Sequence, residues 1–170
     1  MEFSATDWVT VALTEATLSR EGPPLFVAAQ RGCVAAAKVM CEAGSNLEVF
    51  GPKHQRPLHA AAEGGHAGIV AILLGAGALI DVQDDDGNTP LISAVLNGQA
   101  ATVEILLAVG ADITLARLDG MTARHIAQLP GTPAGLRELL SLGDEAIIGL
   151  EELSADRSEE HTSELQSQNA

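Results

Sequence analysis

The chain has 170 residues, enough for one ordinary domain or one short solenoid, and 46% of them are hydrophobic, ample for a core. Its formal charge is −14, with −5 in residues 151–170 and −9 in residues 1–150, which disfavours nucleic acid and anionic membranes, both gripped through a basic face. Only Phe3, Trp8, Phe26 and Phe50 are aromatic, so Ala and Leu must carry the burial, as suits thin helical layers packed closely.

In chain order, MEFSATDW has no basic region ahead of an apolar core, so no signal peptide is expected. Ser4 or Thr6 is placed to cap a helix through Leu18, with Trp8, Ala12 and Ala16 on one side. Residues 22–49 hold Pro23-Pro24, then Phe26, and two cysteines eight residues apart. Cys33 and Cys41, on or beside one helix, stand roughly 12 Å apart at 1.5 Å per residue, too far for a disulfide. They read as small apolar residues of a reducing compartment. Residues 50–82 carry an irregular turn, Gly51-Pro52-Lys53-His54, in which His54 is expected at positive φ, at a cost to any residue but glycine. The longest apolar run, Ile69 to Ile80, has 12 residues and is broken by Gly75 and Gly77, short of a membrane span.

The stretch from Asp84 to Gly110 is the most regular. Asp86-Gly87-Asn88 is turn chemistry, with Gly87 free to take positive φ. Thr89-Pro90 opens a helix, the threonine as cap and the proline at the first helical position. Leu91, Ala94 and Val95 predict a narrow apolar face, and Asn97-Gly98 a left-handed stop. Val103, Leu106 and Leu107 stripe a second helix, which Gly110 closes. Such a hairpin cannot bury its own face and needs copies of itself on both sides. In residues 116–143, Ala123 replaces the proline, and Thr132-Pro133 is expected to restart the second helix with a threonine cap. Residues 144–156 suggest a short amphipathic C-terminal helix. Residues 157–168, RSEEHTSELQSQ, resemble the in-frame translation of a sequencing-library adapter. Residues 157–170 are therefore expected to be an artefactual or disordered tail, with the natural C-terminus and whatever followed it missing.

The copies are there, at one step. Pro24, Pro57 and Pro90 are 33 apart, as are Gly32, Gly65, Gly98 and Gly131, and Gly44, Gly77, Gly110 and Gly143. The pairs Met40-Cys41, Leu73-Leu74, Leu106-Leu107 and Leu139-Leu140 fall in the same register. A 33-residue period of helix, break and helix is the ankyrin signature. Over about residues 22–143 the chain resembles the ankyrin-repeat family, most closely at Pro57-Leu58-His59-Ala60-Ala61-Ala62, Gly64-Gly65-His66, Thr89-Pro90-Leu91 and Gly110-Ala111-Asp112. The resemblance implies an all-α solenoid of about four repeats, at 22–49, 50–82, 83–115 and 116–143, with residues 1–21 as the N-terminal capping helix. It departs from the family pattern at Phe26, where a histidine belongs, at Arg56, where a threonine belongs, and at His54, where a glycine belongs.

Other chemistry is weighed against this frame. His59, Glu63 and His66 have a spacing that invites a metal, but the resemblance gives His59 and His125 structural positions, the imidazole bonding turn backbone or the capping threonine, and puts His66 at the start of the second helix. A calcium loop beginning at Asp84 needs Gly at 89 and Glu at 95, where the chain has Thr89 and Val95. Gly75-Ala76-Gly77 lacks the Lys-Ser/Thr of a phosphate loop. No nucleophile–base–acid motif stands out. No cofactor, metal or catalytic activity is expected.

The resemblance further implies binding of a protein partner through hairpin tips and the concave first-helix face, in an adaptor or scaffold role. The tips present Pro52, Lys53 and Gln55, then Asp85, Asp86 and Asn88, then Leu118, Asp119 and Met121; the first-helix ends present Gln30 and Arg31, then Glu63, Leu96 and Asn97, and last Leu129. Without Trp or Tyr, this row predicts a modest-affinity, partly electrostatic contact with a basic or neutral protein surface. The expectation is a monomer in the cytoplasm, with the nucleus also open to it. Two other readings remain: the regulatory or targeting part of a larger enzyme such as a kinase or ubiquitin ligase, and a structural spacer with no specific partner.

Overall fold

The computed structural model describes residues 22–141, so the expected helices over 1–21 and 144–156 and the tail at 157–170 lie outside the described residues. Within them run α1 (Pro24–Arg31), α2 (Val34–Glu42), a 3₁₀ turn (Pro52–His54), α3 (Pro57–Glu63), α4 (Ala67–Gly75), α5 (Pro90–Leu96), α6 (Ala100–Val109), α7 (Ala123–Ala127) and a last helix, α8, over 134–141. The described residues hold no strand, only an isolated antiparallel bridge between Ala116 and Thr122. The all-α repeat expectation is met.

The local signals act as the residues dictate. Proline opens α1, α3 and α5, where its missing N–H is one of the orphans anyway. The Thr89 hydroxyl accepts from the Ile92 N–H at 3.2 Å, and the Thr122 hydroxyl from the His125 N–H at 3.4 Å. Thr132 departs from its expected role. Its hydroxyl donates back to the Ile126 carbonyl at 3.2 Å, and α8 begins after Pro133.

The helices form two layers. The first helices stack α1 on α3 on α5 on α7, and the second helices stack α2 on α4 on α6, each hairpin also packing within itself. Leu58, Ile69, Leu73, Leu91, Leu106, Leu136 and Leu140 lie in one continuous core. Complete burial of a Leu or Ile side chain stabilises by roughly 1.5–3 kcal/mol, and the helices that bury it belong both to its own hairpin and to the neighbouring ones. The narrow apolar face expected of α5 is too modest. Pro90 through Val95 are all buried, because α3 and α7 flank the helix while α6 lies behind it. Of the first helices only the C-terminal ends reach solvent, beside the exposed tips and the outer faces of the second helices.

Candidate protein-binding surface

Each tip is built locally and then locked to the next. In the third hairpin, Asp84 accepts from the backbone N–H groups of Asp86 (3.0 Å) and Asn88 (2.8 Å) and from the Asn88 side-chain amide (3.0 Å). Burial alone would raise the Asp84 pKa; these hydrogen bonds outweigh it and hold the carboxyl below the usual range. Asn88 is therefore a correction to the expected row: it is buried and its amide is spent on Asp84, so it shapes the turn instead of facing a partner.

Successive tips are tied through the backbone, Asp85 N–H to the Lys53 carbonyl (3.0 Å) and Leu118 N–H to the Asp86 carbonyl (3.3 Å). Gly87 permits the second tie: a Cβ there would lie 2.8 Å from the Leu118 nitrogen. Side chains add Lys53 Nζ to Asp86 Oδ2 at 3.1 Å and His54 Nδ1 to Asp85 Oδ1 at 2.7 Å. The Asp86 carboxylate raises the Lys53 pKa, chiefly through that hydrogen bond. Positive φ was expected at His54 alone; both Lys53 (φ 56°) and His54 (φ 53°) adopt it, since the two-residue left-handed step aims both side chains at the next tip. Asp86 of the middle tip thus meets a lysine and Asp85 an imidazole nitrogen inside the row, and Asp119 has Arg117 at 3.5 Å.

The other named positions divide by exposure. Gln30, Arg31, Pro52, Lys53, Glu63, Asp85, Leu96, Asn97, Leu118, Asp119 and Leu129 are exposed, while Gln55, Asp86 and Met121 are half-buried, Met121 against the core. Leu118 is 81% exposed, and Leu96 and Leu129, one repeat apart, are 46% and 45%. The sequence reading missed Phe50. It is 54% exposed, edge-on to His54 at 5.4 Å, with the Arg56 guanidinium 5.1 Å from its ring centre. Arg56, standing where threonine was expected, turns sideways to pair with Glu48 instead of capping α3. A signal existed: among the described residues Phe50 is the one aromatic next in sequence to a hairpin-tip turn.

The histidines have structural partners. His59, fully buried, accepts from the Arg56 N–H on Nδ1 (3.2 Å) and donates from Nε2 to the Asn88 carbonyl (2.9 Å). Burial drives its pKa down, the nearby Arg56 charge acting the same way and Asp84 opposing. His125 accepts on Nδ1 from the Thr122 N–H at 3.2 Å. His66 donates to the Gln30 carbonyl at 3.2 Å. His59 and His66 are therefore committed to different repeats, and among the described residues no three His, Cys, Asp or Glu side chains gather as a metal site would need.

Side by side, the hairpins are tied at matching positions. Glu48 accepts from the Leu79 N–H and Asp81 from the Asp112 N–H, both at 2.9 Å, positions 33 apart in each case. A family model described as Ankyrin repeats (3 copies) matches residues 9–84, 25–117 and 72–151. The chain belongs to the ankyrin-repeat family. A comparison with curated proteins finds no match. Ankyrin repeats are in general protein–protein interaction modules, and the exposed edge of this ankyrin array is made of tips and first-helix ends. Among the described residues no helix is long and apolar enough to cross a membrane.

Proposed function

We propose that this ankyrin array is an adaptor that grips a protein partner along the edge formed by its tips and first-helix ends. The observation carrying the reading is Leu118, a large apolar side chain 81% exposed at the end of a tip row whose backbone is pinned tip to tip. An exposed leucine on an ordered turn costs little conformational entropy to bury, which makes it a suitable anchor. Because Asp86 and Asp119 already have cations beside them and Asp85 is held by His54, the contact rests on apolar anchoring more than on net charge, and Phe50 joins it as the aromatic member. The preferred partner surface is apolar with a neutral or basic rim. The array works as a monomer in the cytoplasm, where Cys33 and Cys41 stay reduced.

The test is capture from cell lysate by three forms of the full chain: wild type, an edge variant (Phe50→Ser, Asp85→Ala, Leu118→Ser, Leu129→Ser) and a control changed on the second helices (Lys38→Ala, Glu104→Ala). A partner held by wild type and control but lost from the edge variant, at unchanged helicity, is expected. Equal capture by all three refutes the assignment of the edge, and absence of any reproducible partner supports a plain spacer.

A further inference from the structure

One column of the repeat clamps each junction between hairpins until it fails. His66 Nε2 donates to the Gln30 carbonyl at 3.2 Å, and Gln99 Nε2 donates to the Glu63 carbonyl at 3.3 Å. Both residues cap a second helix and reach back 36 positions, onto a backbone carbonyl at the C-terminal end of the preceding first helix. Each lies over a glycine, His66 over Gly32 and Gln99 over Gly65, where a Cβ would overlap the clamping side chain. The same register puts Thr132 against the Leu96 carbonyl. Threonine is too short to reach it and bonds Ile126 instead. Over Gly98, in place of a clamp, stands only the Pro133 ring, 3.6 Å from where a Cβ would be.

The third junction is therefore a notch, and among the described residues no side chain donates to the Leu96 carbonyl. The notch is flanked by the exposed side chains of Leu96 and Leu129, on adjoining rungs. A carbonyl at a helix C-terminus carries partial negative charge, so it prefers a cationic donor over a neutral one.

We propose that this notch is the specificity point of the binding edge, occupied by a partner segment that places an arginine or lysine on the Leu96 carbonyl between two apolar residues packed on Leu96 and Leu129. The inference rests on the interaction reading above and adds the partner's chemistry. Net charge does not oppose the choice, with eleven acids against seven Lys and Arg among the described residues, and on the next rung an arginine already serves the equivalent carbonyl: Arg137 donates to the Leu129 carbonyl at 3.2 Å and to that of Ala127 at 3.1 Å. The partner supplies what histidine and glutamine supply at the first two junctions.

The probes are blocked pentapeptides Ala-Leu-X-Leu-Ala with X as Arg, Gln, norleucine or Glu, titrated into the ¹⁵N-labelled full chain. For X = Arg, shifts centred on Leu96, Gly98 and Leu129 are expected, with affinity falling on the order of tenfold for norleucine, the scale of one charge-assisted hydrogen bond, and further for Glu. Thr132→Gln restores the clamp with the residue the array itself uses at 99, so it folds, and it should abolish those shifts while raising Tm. Leu96→Ser with Leu129→Ser should abolish them without the gain in Tm. Shifts unchanged in Thr132→Gln, or equal for Arg and Glu peptides, overturn the proposal. Shifts confined to the tips overturn it while leaving the interaction reading intact. No shift anywhere overturns the notch, and only a simultaneous failure of partner capture removes both.

Discussion

His59 makes a sharp prediction about acid. Its imidazole accepts a hydrogen bond from the Arg56 N–H on Nδ1, so it must be neutral to hold that bond, and it is fully buried. Its pKa in the fold lies below the ordinary 6.5, because burial penalises the charged ring. Between those two values the unfolded chain binds the proton and the folded chain does not. Stability is thus full above pH 6.5, falls as the pH drops below it, and goes on falling until the folded-state value is passed, at up to about 1.4 kcal/mol per pH unit. For a small array worth about 5–15 kcal/mol, one such unit is a visible fraction. The assay is urea denaturation followed by circular dichroism at pH 7.5, 6.5, 5.5 and 5.0, for wild type and His59→Leu. The variant leaves the Arg56 N–H without a partner and takes one of two donors from the Asn88 carbonyl, which keeps the Asp84 N–H at 3.0 Å, so it should be weaker at pH 7.5 by about 1–3 kcal/mol. It should also lose its share of the slope below pH 6.5. A variant that keeps the full wild-type slope, or a wild type equally stable at pH 7.5 and 5.0, would refute the reasoning.

Two further substitutions test the junctions and tips. Gly65→Ala forces a methyl into the Gln99 amide at φ 70°, whereas Gly77→Ala meets nothing within 4 Å at φ 97°; both bear a left-handed cost of about 1–2 kcal/mol, and chemical denaturation should show Gly65→Ala the worse by about 1 kcal/mol or more. His54→Gly removes one non-glycine residue from positive φ and gives up one exposed pair with Asp85 worth about 0–1 kcal/mol, so the melting temperature should hold or rise; a clear fall would show that the pair matters more than the backbone.

Much of this was legible because the chain repeats. Periodic prolines, glycines and leucines are decided within one hairpin and its neighbours, so the helices, the left-handed glycines and the partners of His59 and His125 follow from local rules. What escaped depends on side-chain reach between hairpins. Asn88 has an ordinary turn sequence around it, and only the three-dimensional turn shows that Asp84 draws its amide inward. Lys53 joins His54 at positive φ because Asp85 and Asp86, over thirty residues on, receive both side chains. Thr132 looks like a cap, yet the helix starts only after Pro133 and the threonine hydroxyl donates back to the Ile126 carbonyl. Phe50 was visible as a letter, but its exposure was not.

The most direct test of the account is site-specific photocrosslinking of the full chain in cells, with a benzophenone amino acid placed singly at Leu118 or Leu129 on the edge and at Ala71 or Val109 on the second helices. The account expects one common partner to crosslink from both edge positions and from neither of the others. Crosslinks that form only from Ala71 and Val109, or equally from all four, would contradict it.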